Sequence, residues 1–305
     1  MDVPSASSRR GVIAFVTIAY GFSWACALGF VLFAGTRAED APGVFRAVAA
    51  LCMFGPALAT FIVGRWVAPV SSFKRDTGLG LGRHWVRFGL GALLGAPLVV
   101  LGATLLSVLA YPGDFDLSGL SALRALLRET LPADVLAKLE QVMGIHGFLA
   151  LQVGQGMVLG PFLNLPFVLG EEWGWRGYLL PRVLPLGTWR ALVLSGIIWG
   201  VWHAPLILLG YNYPAHPVAG VFVFTGLCVL MGILLGWMRL ATGSLWPAVL
   251  AHGSLNALSA VPLLLGHAGT PLDTLQVGVT GWPGILVLSL LVGLLVGCRR
   301  IPVPG

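Results

Sequence analysis

Charge is what this chain has least of. Lys, Arg, Asp and Glu together make up 10% of its 305 residues, against 57% hydrophobic. Soluble domains carry about 25% charged residues, so the balance excludes an ordinary globular domain and places the chain among polytopic membrane proteins. Cysteine is also scarce. Cys26, Cys52, Cys228 and Cys298 stand singly in apolar stretches without CxxC spacing. This excludes a disulfide framework and a cysteine zinc site, and small buried thiols are the expectation. The net charge of +6 is not gathered into a basic patch interleaved with aromatics, so no nucleic-acid partner is expected. There is no low-complexity segment and no internal repeat.

What the chain has in abundance is long apolar runs and glycine. A spanning helix needs about 20 apolar residues. Eight stretches reach that length, at 11–35, 44–70, 88–111, 150–181, 190–210, 218–238, 244–266 and 277–298. The expected fold is an all-α polytopic membrane protein of about eight transmembrane helices, forming a single integral membrane domain over 1–305. The 42 glycines suit close helix packing in lipid. Most Lys and Arg, including Arg9, Arg10, Lys74, Arg75, Arg182, Arg190, Arg239, Arg299 and Arg300, fall on one side of such an arrangement. The positive-inside rule makes that side, and both termini, cytoplasmic, in a cell (plasma or inner) membrane. The opening MDVPSASSRR resembles a signal-peptide n-region, but the apolar run after it is too long and lacks a cleavage site. It reads as a first membrane helix.

The 113–147 segment differs, holding five of the twelve acids. Leu120, Leu123, Leu126 and Leu127, then Val135, Leu136, Leu139 and Val142, recur at helical spacing. Two amphipathic extracytoplasmic helices broken near Pro132 are expected.

Three of the apolar stretches carry polar residues deep inside. Carboxylates at membrane depth are costly and persist where they pair, line a cavity or do chemistry. Glu171 and Glu172 lie in GEEWGWRG, with Arg176 following. Glu172 and Arg176 are four residues apart and share a helix face, so a structural ion pair is expected. Glu171 points elsewhere and lacks that partner. Trp199 and His203 are also four apart, as are His252 and Asn256. Glu171 lies 11 residues from Arg182, His203 lies 13 from Arg190 and His252 lies 13 from Arg239. At about 1.5 Å per residue, all three sit roughly 16–20 Å from the cytoplasmic boundary if their helices are continuous. Convergence on one level points to a single site.

These residues carry a resemblance. GEEWGWRG is similar to the EExxxR motif of the CPBP family of CAAX proteases and bacteriocin-processing enzymes, which includes the Rce1-type prenyl endopeptidases. Trp199 to His203 resembles its FxxxH motif, with Trp in place of Phe, and His252 to Asn256 its HxxxN motif. All three lie within a catalytic core of about 147–266. The resemblance implies an eight-helix intramembrane endopeptidase that hydrolyses peptide bonds in membrane-associated proteins or peptides, with its active site open to the cytoplasm. CAAX-type C-terminal processing of a prenylated substrate is one option. Bacteriocin processing and immunity is another. It further implies that Glu171 activates water, His203 helps orient it, and His252 and Asn256 stabilise the oxyanion. Glu172, Arg176 and Trp199 would support the site.

No HExxH is present and Asn is a poor zinc ligand, so no cofactor is expected. The alternative is a Zn²⁺ site built from Glu171, His203 and His252. Two other functions use the same residues differently. A proton-coupled transporter would relay protons through Glu and His, but no pair of matched broken helices is visible. A non-catalytic immunity or scaffold protein would have little reason to keep Glu171. The C-terminus, RRIPVPG, carries no Cys-a-a-X box.

Overall fold

A computed structural model describes residues 7–301. The stretches MDVPSA and PVPG, on which the first steps of the signal-peptide reading and the C-terminal box reading fall, lie outside the described residues. Among the described residues the fold is helical throughout, with one isolated antiparallel bridge between Phe115 and Gly266.

The first half is built from long helices. α1 (Ser7–Phe33) is a single apolar rod. α2 (Pro42–Cys52) and α3 (Gly55–Ile62) are separated by a turn at Met53 and Phe54. The π-helical turn Val63–Val67 extends α3, so that Pro42–Val67 counts as one crossing. A short turn, α4 (Phe73–Asp76), precedes α5 (Trp85–Ala110). α6 (Ser121–Thr130) and α7 (Ala133–Val158) flank Pro132, and α7 is interrupted at Gly144, whose φ of 68° is left-handed. Glycine alone takes that conformation without a steric penalty.

The second half breaks where the sequence reading took the helices as continuous. The 150–181 stretch is the end of α7, then α8 (Gly160–Leu163), α9 (Leu165–Glu172), a π-helical segment Trp173–Leu179 and α10 (Leu180–Val183). Pro161 and Pro166 sit at the start of α8 and α9, where a missing N–H is harmless but an incoming helix must stop. The 190–210 stretch is α11 (Thr188–Trp202) followed by α12 (Ala204–Leu208), broken at His203 just before the proline-initiated turn. α13 (Pro217–Thr242), α14 (Trp246–Leu258) and α15 (Trp282–Gly297) complete the chain.

Among the described residues, five helices are long and apolar enough to cross a membrane: Arg9–Phe33, Pro42–Val67, Trp85–Ala110, Pro217–Thr242 and Trp246–Leu265. Trp282–Gly297 is apolar but shorter. The two remaining stretches of the expected eight are the broken ones. Irregular backbone at membrane depth is tolerated where protein or a water-lined cavity surrounds it. Here side chains of α1 bond two carbonyls in the last turns of α11. Ile198 O accepts from Tyr20 Oη, and Trp202 O accepts from Trp24 Nε1 at 3.1 Å.

Close packing holds the broken segments in place. α11 lies along α13 through Gly196 and Gly200, where a Cβ would come within 2.6 Å of Val229 Cα and of Thr225 Cα respectively. On the other segment, a Cβ at Gly170 would meet Met53 O at 2.7 Å, and one at Gly174 would collide with Pro56. Both pairs have the G-x-x-x-G spacing that lets helix backbones approach in lipid. α14 runs between α5 on one side and α8 and α9 on the other.

Candidate active site

The residues of the three motifs come from α9, the π-helical segment, α11 and α14. Glu171 and Glu172 end α9, and Arg176 lies in the π-helical segment that follows. π-segments are uncommon and concentrate at functional sites. Trp199 is on α11, His203 at its broken end, and His252 and Asn256 on α14. All but Asn256 are buried. Glu171 is 2% exposed, Glu172 0% and Arg176 1%.

Two carboxylates one residue apart have separate partners. Arg176 Nη1 donates to Glu172 Oε1 at 2.9 Å, the ion pair that the four-residue spacing predicts. His252 Nδ1 lies 3.0 Å from the same oxygen. Glu171 lacks the arginine, as the spacing predicts, and has a different partner from another helix. Trp199 Nε1 donates to its Oε2 at 2.6 Å. The bond crosses from α11 to α9, so spacing within one helix gives no hint of it.

Trp199 is the centre of the cluster. The Arg176 guanidinium lies 4.1 Å from its ring centroid, a cation–π contact. The ring meets His252 edge-on at 5.2 Å and His203 at 5.9 Å between centroids. His203 Nδ1 is 2.9 Å from Trp199 O. A carbonyl only accepts, so Nδ1 carries the proton and Nε2 of the neutral ring is left as an acceptor. Trp202 and Phe224 pack edge-on against the same imidazole.

The structure thus brings Glu171, Glu172, Arg176, Trp199, His203 and His252 together. Asn256 stands apart: it is exposed, one turn beyond His252 on α14, without a side-chain hydrogen bond among the described residues. Asn164 was absent from the sequence reading. Its Nδ2 donates to Gly253 O at 3.3 Å and ties the start of α9 to α14 beside His252. Tyr20 and Trp24 of α1 were also missed, because side chains that satisfy distant carbonyls leave no local signal. Gly170, Gly174, Gly196 and Gly200 could have been found from their spacing.

Among the described residues, no group of three or more His, Cys, Asp or Glu side chains is placed to hold a metal ion. His252 turns its Nδ1 to Glu172, and Glu171 turns one oxygen to an indole N–H.

The structure thus defines a buried polar cluster on broken helices within an all-helical bundle, the arrangement that the resemblance to CPBP-type proteins implies. Comparison with known proteins agrees. Residues 153–258, which hold all three motifs, match the family model described as type II CAAX prenyl endopeptidase Rce1-like. The chain is also similar to CAAX prenyl protease 2 of Methanococcus maripaludis, 32% identical over 102 residues. That match covers 31% of this chain and 37% of the relative's length. Both findings support the CPBP, Rce1-type family for the part of the chain that carries the site.

Proposed function

We propose that this protein is an intramembrane endopeptidase in which Glu171 activates the attacking water. The observation that carries the reading is the placement of Glu171. It is a buried carboxylate held by Trp199 in one cluster with His203 and His252, inside the stretch that matches Rce1-like endopeptidases.

Each residue then has a role its geometry supports. Oε2 of Glu171 is taken by the indole N–H, and Oε1 accepts the water proton. Nε2 of His203 accepts from the same water and orients it. The water oxygen attacks the scissile carbonyl, and the proton held by Glu171 passes to the leaving amine. His252, held through Nδ1 at 3.0 Å from Glu172, is one oxyanion donor. Asn256, on the same helix face and exposed, supplies the second donor on the side from which substrate arrives. Oxyanion donors of this kind contribute about 3–4 kcal/mol each. The reaction needs no metal.

The substrate is a membrane-associated protein or peptide presented from the cytoplasmic side, and a prenylated Cys-a-a-X terminus is the first to test. Broken helices at membrane depth also occur in transporters. Those of this chain are consecutive, not matched across two repeats, which favours the hydrolase. The test is cleavage of a farnesylated, internally quenched Cys-a-a-X peptide by protein in lipid vesicles, with a membrane-anchored peptide library as a second substrate. Wild type cleaves and Glu171→Gln does not, with both inserted and folded. Equal cleavage by Glu171→Gln would remove the base assignment, and pH-driven solute flux without cleavage would replace the hydrolase with a transporter.

A further inference from the structure

The family resemblance puts Phe where this chain has Trp199, and the two differ in one chemically decisive respect. Phe has no N–H. The indole N–H of Trp199 is 2.6 Å from Glu171 Oε2, whereas Oε1 receives no hydrogen bond from a described residue. We propose that Trp199 is a positioning residue that distinguishes the two oxygens of Glu171, occupying Oε2 so that Oε1 alone takes the water. The proposal rests on Glu171 being the base.

A carboxylate on a glutamate side chain turns about its last bond within a broad well, so an unheld one offers either oxygen in many directions. One short donor fixes the plane and assigns the oxygens. The donor itself is held. The indole is 2% exposed, packed between the Arg176 guanidinium on its face and the edge-on rings of His203 and His252. Gly196 and Gly200, three residues before it and one after, lock α11 onto α13. Its backbone carbonyl also receives His203 Nδ1. Trp199 therefore fixes the base through its side chain and the second water-orienting group through its main chain. Sites need their reacting groups held to within about 0.5 Å, and rigid elements achieve this better than loops. A ring that merely filled space would not need its N–H directed at the base, since a hydrogen bond to a carboxylate weakens it as a proton acceptor.

The N–H can be removed without changing the shape. Replacement of Trp199 by β-(3-benzothienyl)alanine puts sulfur where the N–H stands, and Trp199→Phe gives the residue of the family motif. Both are measured in full-length protein in lipid vesicles against the farnesylated Cys-a-a-X peptide, with Glu171→Gln as control. The benzothienyl variant is expected to lose about 10- to 100-fold in kcat, with KM and the thermal midpoint unchanged. Trp199→Phe is expected to lose at least as much. Wild-type kcat in the benzothienyl variant overturns the proposal. So does a loss shared among kcat, KM and thermal midpoint, which marks a packing role. A Glu171→Gln protein that still cleaves removes the base assignment instead, so the two failures are distinguishable. A readout independent of turnover is the isotope-edited infrared difference between wild type and Glu171→Gln. Its carboxylate stretching bands are expected to shift in the benzothienyl variant, and unshifted bands overturn the proposal whatever the substrate.

Discussion

His252 Nδ1 lies 3.0 Å from Oε1 of Glu172, the oxygen that also holds Arg176. The second glutamate is thus the junction between the first and third motifs. Glu171 joins the first motif to the second through Trp199. Adjacent in sequence, the two carboxylates organise opposite sides of one cluster.

Glu172→Ala leaves Arg176, 1% exposed, without its carboxylate and removes the acceptor of His252. Breaking a buried pair in this way costs about 3–5 kcal/mol. The expected outcome is a large fall in the thermal midpoint of the detergent-solubilised protein, and a smaller one for Glu172→Gln, which keeps an acceptor. An unchanged midpoint in Glu172→Ala would mean that the pair is not structural.

Gly196→Leu forces apart α11 and α13, because even a Cβ there comes within 2.6 Å of Val229 Cα. Overpacking costs about 1–3 kcal/mol, more when backbone must move. Reduced thermal stability with reduced cleavage is expected. Gly226→Leu, on a glycine with no neighbouring atom within 4 Å of where a Cβ would stand, should be close to neutral.

His203→Ala is expected to lower kcat by about 10²- to 10⁴-fold, the usual contribution of a positioned proton-transfer group. Because His203 lies at the broken end of α11, His203→Gln serves as the folded comparison. Wild-type turnover in either variant would take His203 out of the mechanism.

Removal of metal is expected to do nothing. Elemental analysis of the purified protein should find no stoichiometric zinc, and a strong chelator should leave the cleavage rate unchanged. Loss of activity in chelator with recovery on added Zn²⁺ would reverse this reading.

Outside the membrane, hydrogen bonds from Ser121 and from the Gly119 N–H hold the Asp116 carboxyl down to about 2. A depressed carboxylate favours the folded turn at any pH above its unfolded value of about 3.9, and that support disappears as pH falls through about 2. Amide exchange at Gly119 and Ser121 should therefore stay slow above pH 4 and quicken between pH 4 and pH 2. Asp116→Asn should show little such dependence. Identical profiles for the two would show that the turn does not depend on this carboxylate.

Much of the site was legible in the chain. A low-charge sequence has so few buried polar groups that each intramembrane one stands out, and the four-residue spacing paired Glu172 with Arg176 because one helix turn brings them together. The count of crossings was less legible. Hydropathy registers 150–181 and 190–210 as apolar lengths, while Pro161, Pro166 and Pro205 break them into pieces. A hydropathy window averages over such breaks because proline costs little hydrophobicity.

By itself, the sequence determined a helical membrane protein and the residues of its polar cluster, since composition, hydropathy and spacing along one helix are local properties. Only the tertiary structure decided how those residues pair. It joined Trp199 to Glu171 and His252 to Glu172, and left Asn256 at the exposed edge. Those contacts depend on how α9, α11 and α14 are rotated and how closely they approach. The spacing of Gly170, Gly174, Gly196 and Gly200 marks faces that can pack closely, but which helix each face meets is decided only in the fold.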